Sequence, residues 1–133
     1  MEQPPAVRKR ILVIDDEEDL CLSIRANLEI LGSYEVVIAT NGQKGLEMAR
    51  LKRPDIILLD IMMPGMSGLE VLKKLKANLQ TSRIPVLMLT AKVDTDSKRE
   101  AFSHYNDDYI EKPAESQHLK ERIEKALSRI GCA

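Results

Sequence analysis

Acidic, hydroxyl and amine side chains stand at the ends of short apolar runs in this sequence. These residues are Asp15, Asp16, Asp60, Thr90 and Lys112. Three carboxylates brought together repel one another unless a cation neutralises them. Oxygen ligands without a neighbouring histidine or cysteine suit Mg²⁺, which keeps several waters and binds one or two carboxylates together with a phosphate. The residue types therefore predict a site for Mg²⁺ and a phosphoryl group.

The charges within this set predict a role for each member. A phosphoryl group on a carboxylate needs positive charge and hydrogen-bond donors around its oxygens. Lys112 supplies a compact positive charge, Thr90 supplies a hydroxyl donor, and Asp60 is the predicted nucleophile. Each residue alone has a simpler explanation, because acids and threonine often cap helices or turns and lysine usually lies in solvent. Their joint position at the ends of apolar runs favours the site.

Alternating strands and helices must bring these residues together. Apolar runs predict strands at 11–15, 34–39, 56–60, 86–90 and around Tyr109 and Ile110. Helical spacing predicts helices at 20–31, 42–52, after Gly68 with Leu72, Leu75 and Leu79 inward, at 94–103, and at the end with Leu119, Ile123, Leu127 and Ile130 on one face. Short links imply a parallel sheet with right-handed crossovers. We therefore expect a doubly wound α/β fold, with its ligand site beyond the carboxyl ends of the strands.

Composition narrows the class of protein. The chain has 133 residues, 44% hydrophobic and 31% charged, which suits one folded domain. A net charge of −1 and 3% aromatic residues argue against nucleic acid and anionic membranes as partners. Cys21 and Cys132 match neither a zinc spacing nor a disulfide scaffold. Since the chain also lacks a signal peptide and a bilayer-spanning apolar run, we expect a cytoplasmic protein.

Four segments resemble the receiver domains of two-component response regulators. They are ILVIDDEEDL, IILLDIMMPGMSGLEVL, IPVLMLTA and DDYIEKP, and their order and spacing fit from residue 11 to about residue 130. The resemblance implies a flavodoxin-like (βα)5 fold whose parallel sheet has the order 2-1-3-4-5. It also divides the chain into an N-terminal extension at 1–10, a receiver domain at 11–130 and a C-terminal tail at 131–133.

The resemblance implies a role for each site residue. Asp60 would be the phosphoacceptor. Mg²⁺ would be held by Asp15, Asp16, Asp60 and the carbonyl of Met62, with Asp15 often acting through water. The phosphoryl oxygens would be held by Thr90, Lys112 and the backbone amides near Met62 and Ala91. The peptide bond between Lys112 and Pro113 is expected to be cis.

A switch and a set of partners are implied as well. Phosphorylation would draw Thr90 and then Tyr109 inward, which changes the face formed by the helix at 94–103, the last strand and the last helix. The donor would be a phosphohistidine on a sensor histidine kinase or a phosphotransfer protein. The altered face would control partner binding and could form a homodimer. The output would therefore be binding, without turnover of a separate substrate.

Other function classes fit these residues less well. A pseudo-receiver, acting as a phosphorylation-independent protein-binding module, is the main alternative, although such modules commonly lack some site residues. A phosphohydrolase of the haloacid dehalogenase type has D-x-D-x-T after its first strand, where this chain has DDEED. A dinucleotide-binding domain needs glycines and amides where this loop is acidic. A stand-alone regulator and one module of a longer protein both remain open.

Two departures from the family pattern affect the expected choice of partner and the expected rate of dephosphorylation. Tyr105 and Asn106 stand where the family often has Gly-Ala, so partner choice near the last strand cannot be transferred. Met62 and Lys92 occupy positions at which the family tunes the attack of water on the aspartyl phosphate. A methionine thioether cannot orient water as an amide or an acid does. We therefore expect slow self-dephosphorylation, over at least many minutes.

Overall fold

The computed structural model describes residues 8–32, 34–90, 108–111 and 116–131. Its strands are β1 (Lys9–Ile14), β2 (Tyr34–Ala39), β3 (Ile56–Asp60), β4 (Val86–Thr90) and β5 (Asp108–Glu111). The helices within these ranges, numbered in chain order, are α1 (Glu18–Leu31), α2 (Gly42–Lys52), α3 (Gly68–Ala77) and α4 (Ser116–Gly131).

The predicted elements are confirmed wherever the structure describes them, with small changes at their ends. β2, α2, β3 and β4 have the predicted bounds, while β1 runs from Lys9 to Ile14. The expectation that Leu79 faces inward is wrong. α3 ends at Ala77, Asn78 takes an extended backbone with φ −101° and ψ 123°, and the side chain of Leu79 is 94% exposed. The helix predicted at 94–103 lies outside the described residues.

The strands form one parallel sheet in the order β2-β1-β3-β4-β5. This order confirms the predicted doubly wound, flavodoxin-like α/β fold. The order reverses at β1, because β1 pairs with β2 on one side and with β3 on the other. In such sheets the binding site lies beyond the strand ends at this reversal. The binding site is therefore expected beyond the carboxyl ends of β1 and β3.

The sheet is buried on both faces. Ile11 and Val13 belong to the apolar cluster shared with α1 and α4, and Leu12 and Ile14 belong to the cluster shared with α2 and α3. All four side chains are completely buried. Burial on both faces is the reason that β1 has a continuous apolar run and lacks an alternating pattern. The two clusters hold the strand ends in a fixed arrangement.

The outer helices are amphipathic. In α4, Leu119 and Ile123 are buried while Gln117, His118 and Glu121 are exposed. This spacing places one apolar face against the sheet and a polar face in solvent. Among the helices that the structure describes, none combines the length and the apolar character needed to span a membrane.

Candidate functional site

Three carboxylates converge at the C-terminal edge of the sheet. One carboxylate oxygen from each of Asp15, Asp16 and Asp60 lies within 4.8 Å of the other two. Asp15 and Asp60 are buried, with 0% and 2% of their surface exposed, whereas Asp16 is exposed. The prediction that these three acids meet is confirmed.

Strand pairing explains why the acids meet. Ile14 of β1 lies opposite Leu59 of β3, so the next residues of both strands, Asp15 and Asp60, leave the sheet side by side. The amide of Asp15 still donates to the carbonyl of Ala39 at 3.1 Å. This bond continues the pairing of β1 with β2 by one residue. It therefore ties the backbone of Asp15 to the rigid sheet.

Local hydrogen bonds also orient Asp15. Its Oδ1 accepts a hydrogen bond from the amide of Glu17 at 3.0 Å, and its backbone carbonyl accepts one from the buried thiol of Cys21 at 3.3 Å. The simpler explanation, that Asp15 stabilises the turn into α1, is therefore also correct. Both roles are compatible, because the turn holds the carboxyl group in the cluster.

The loop after β3 begins beside the carboxylate of Asp60. Oδ1 of Asp60 accepts a hydrogen bond from the amide of Met62 at 3.4 Å. The side chain of Met62 is 74% exposed. The pairing of β3 with β4 extends past Asp60, because the amide of Ile61 donates to the carbonyl of Leu89 at 3.0 Å. Hydrogen bonds to β4 therefore fix the backbone both before and after Asp60.

Gly68 positions the site, a role that its place in the sequence does not indicate. Its amide donates to the carbonyl of Ile61 at 2.9 Å, which brings the start of α3 directly against the end of β3. A Cβ atom at position 68 would overlap the backbone carbonyl oxygen of Asp60 and lie 2.7 Å from the Cα of Ile61. Backbone atoms cannot move aside as a flexible side chain can, so this approach requires glycine. In the sequence Gly68 indicated only the start of a helix.

The remaining predicted residues are described only in part. Thr90 is the last residue of β4, one position beyond Leu89, which lies opposite Asp60. The backbone of Thr90 therefore ends at the same sheet edge as the acids, as predicted. Ala91, Lys92 and the Lys112–Pro113 peptide bond lie outside the described residues, so their predicted roles stay predictions.

Tyr109 lies in β5, the edge strand next to β4. It is opposite Met88 in the register, and its half-buried side chain packs against the apolar cluster shared with α2 and α3. Its backbone carbonyl accepts a hydrogen bond from Nη2 of Arg122 in α4 at 2.8 Å. The backbone of the predicted switch residue is therefore attached to the last helix.

The sequence model of the response regulator receiver domain matches residues 11–124. The chain belongs to this family. The receiver domain is 41% identical over 125 residues to a phosphate regulon transcriptional regulatory protein of Pseudomonas aeruginosa, covering 94% of this chain and 54% of that protein. It is 38% identical over 123 residues to an alkaline phosphatase synthesis transcriptional regulatory protein of Bacillus subtilis, covering 92% and 50%. The receiver domain thus spans about half the length of these curated relatives.

Solved structures agree with this assignment. A CheY-like receiver domain protein from Methanospirillum hungatei superimposes with a TM-score of 0.85 at 30% identity, covering 92% of this chain and 96% of that one. A chemotaxis protein from Vibrio cholerae gives a TM-score of 0.83 at 26% identity, covering 90% and 99%. The predicted family is confirmed. The receiver domain is a component of two-component signalling and is not a conventional enzyme.

Proposed function

We propose that this receiver domain accepts a phosphoryl group on the carboxylate of Asp60 in the presence of Mg²⁺. The observation that carries the proposal is the approach of the carboxylate oxygens of Asp15, Asp16 and Asp60 to within 4.8 Å. Two of these acids are buried, where solvent screens their repulsion poorly. Such a cluster favours a divalent cation and then an anionic ligand beside it.

The donor chemistry of the cluster fits Mg²⁺. Its three groups are carboxylates, which are hard oxygen ligands, and Asp16 lies exposed at the solvent side. We propose that Asp15, Asp16, Asp60 and the carbonyl of Met62 hold the ion, with Asp15 acting in part through water. When bound, Mg²⁺ supplies positive charge for the phosphoryl oxygens.

Side chains and backbone amides of this chain perform the proposed phosphoryl transfer. An oxygen of Asp60 attacks the phosphorus of a phosphohistidine, the O–P bond forms, and the P–N bond to the histidine breaks. We propose that the amides of Met62 and Ala91, the hydroxyl of Thr90 and the ammonium of Lys112 hold the phosphoryl oxygens during this step. The amide of Met62 already lies 3.4 Å from Oδ1 of Asp60, which supports its part of this proposal.

The proposed donor is a sensor histidine kinase or a phosphotransfer protein, and the proposed location is the cytoplasm. Phosphorylation is proposed to move Thr90 and Tyr109 inward and so to alter the face that includes β5 and α4. That face would control protein partners, including a second copy of the domain. The domain itself is proposed to contact proteins and not nucleic acid, in keeping with its net charge of −1. The domain limits of 11–130 stay a prediction.

The test is incubation with acetyl phosphate and Mg²⁺ followed by intact mass measurement. The parent is expected to gain one base-labile phosphoryl group, and Asp60→Asn is expected to gain none. Asp19→Asn is the matched control, because Asp19 is exposed in the first turn of α1 outside the cluster, and it should label like the parent. An unlabelled parent would favour a phosphorylation-independent binding module. Equal labelling of Asp60→Asn would assign the phosphoryl group to another residue.

A further inference from the structure

We infer that Met62 is a site of reversible oxidation by peroxide, and that its sulfoxide shortens the life of the phosphoryl group on Asp60. The inference rests on the proposed function, because it concerns how long the aspartyl phosphate lasts. It adds a modification site and a chemical input, hydrogen peroxide, to a side chain that has no part in the proposed transfer step.

Solvent exposure separates Met62 from the other methionines in the described residues. Its side chain is 74% exposed, while Met63 is 8% exposed and Met88 is completely buried. Met48 and Met66 are half-buried and pack against the apolar cluster shared with α2 and α3. Because oxidation of methionine to the sulfoxide depends on access to the sulfur, Met62 should react first. The adjacent Met63 gives an internal comparison.

The same residue is attached to the reacting centre. Its amide donates to Oδ1 of Asp60 at 3.4 Å, and from that backbone position its side chain extends into solvent. Asp60 is only 2% exposed, so water that attacks its phosphoryl group must enter from the open side of the site. Met62 lies two residues after Asp60, and its exposed side chain is therefore on the loop that leaves the site at its solvent side. We therefore expect the polarity of this side chain to act on the water that attacks the phosphoryl group.

The chemistry of the oxidation is simple and balanced. The thioether sulfur attacks one oxygen of hydrogen peroxide, the O–O bond breaks, the S–O bond forms, and the other oxygen leaves as water. Sulfur is oxidised and peroxide is reduced. Methionine sulfoxide reductases return the thioether, so the change is reversible. Because the side chain of Met62 lies outside the core, the added oxygen should leave the fold intact.

The product differs from the thioether in its ability to bind water. A thioether sulfur is a weak hydrogen-bond acceptor, whereas the sulfoxide oxygen is polar and accepts strongly. An acceptor beside the attacking water orients it and strengthens its nucleophilic oxygen. The sulfoxide is therefore expected to speed hydrolysis of the aspartyl phosphate several-fold. With the thioether, the phosphoryl group is expected to be lost slowly, as the methionine at position 62 predicts.

The experiment uses the full chain carrying Cys132→Ser, so that a thiol near the C-terminus does not consume peroxide. Brief treatment with dilute hydrogen peroxide is followed by peptide mass spectrometry, which should find Met62 oxidised before Met63 and Met66. Treated and untreated protein are then loaded with acetyl phosphate and Mg²⁺, the donor is removed, and the loss of phosphoryl mass is followed. Treated protein should lose it several-fold faster, and a sulfoxide reductase should restore the slow rate.

Two variants make the result specific, each compared with its own untreated sample. Met62→Leu should lose its response to peroxide, and Met66→Leu should keep it. Equal rates with Met62 fully oxidised, or a persistent response in Met62→Leu, would overturn the inference, as would earlier oxidation of Met63. A parent that never takes up the phosphoryl group would overturn the proposed function, and this inference with it.

Discussion

At the scale of single residues, the acidic cluster opposes folding while it prepares the site. Two unit charges 4 Å apart repel by about 4 kcal/mol when the effective dielectric constant is about 20. The amides of Glu17 and Met62 offset part of this repulsion by donating to Asp15 and Asp60 at 3.0 and 3.4 Å. The remaining repulsion should be measurable, because it disappears when one charge is removed or a cation binds.

Asp60→Asn should therefore stabilise the metal-free protein. In the presence of a chelator we expect its free energy of unfolding to rise by about 1–2 kcal/mol, seen as a melting temperature a few degrees higher. Adding Mg²⁺ should raise the melting temperature of the parent more than that of the variant, since an ion stabilises the state it binds. Asp19→Asn, outside the cluster, should respond to Mg²⁺ like the parent. A less stable Asp60→Asn would contradict this account of the cluster.

Gly68→Ala should disturb both the fold and the site. The new Cβ would overlap the backbone of Asp60 and Ile61, so α3 must move or β3 must distort. We expect a loss of about 3 kcal/mol in urea unfolding, the upper end of the usual range for overpacking because the neighbouring atoms belong to the backbone, together with slower phosphorylation.

Gly65→Ala is the control for that variant. Position 65 has no atom within 4 Å of a new Cβ, but its φ is +77°, so it tests backbone strain without overlap. Its expected loss is about 1–2 kcal/mol. Equal effects of the two substitutions would show that the contact with Asp60 is unimportant.

At the scale of elements, the sequence predicted what depends on local pattern. Strands buried on both faces have continuous apolar runs, and acids at their ends mark where the backbone leaves the sheet. The prediction that Leu79 faces inward was wrong because helical spacing continues in the sequence after α3 has ended at Ala77. The approach of Gly68 to Asp60 also left no local signal, since it arises only when α3 packs against β3. Contacts between elements therefore cannot be predicted from local patterns and are seen only in the structure.

Arg122→Gln should weaken the attachment of α4 to β5. The guanidinium donates to the carbonyl of Tyr109 at 2.8 Å, and glutamine is shorter and uncharged. We expect a loss of about 1–2 kcal/mol in stability, with faster amide hydrogen exchange in β5 and α4. Lys125→Gln, an exposed position on the same helix, should leave exchange in β5 unchanged. Equal exchange rates in both variants would argue that the bond to Tyr109 contributes nothing.

At the scale of the whole molecule, a buried phenol joins distant parts of the chain. The hydroxyl of Tyr34, at the start of β2, donates to Oε2 of Glu124 in α4 at 3.3 Å. Glu124 also pairs with Lys120 at 3.1 Å. Burial first, and then the charge and hydrogen bond of Glu124, raise the pKa of Tyr34 to about 12. The folded protein therefore holds this phenol in its neutral form.

This raised pKa predicts a loss of stability in alkali. An unfolded tyrosine has a pKa of about 10, so the contribution of Tyr34 is complete below about pH 10 and is lost as the pH rises toward about 12. In Tyr34→Phe the hydrogen bond is absent at every pH, and this part of the alkaline decline should disappear. Urea unfolding at several pH values from about 9 to about 12 should therefore show the two stability curves converging. Lysines titrate in both proteins, so their contribution cancels in the difference between the two free energies of unfolding. Curves that stay parallel would mean that Tyr34 ionises in the folded protein as readily as in the unfolded chain.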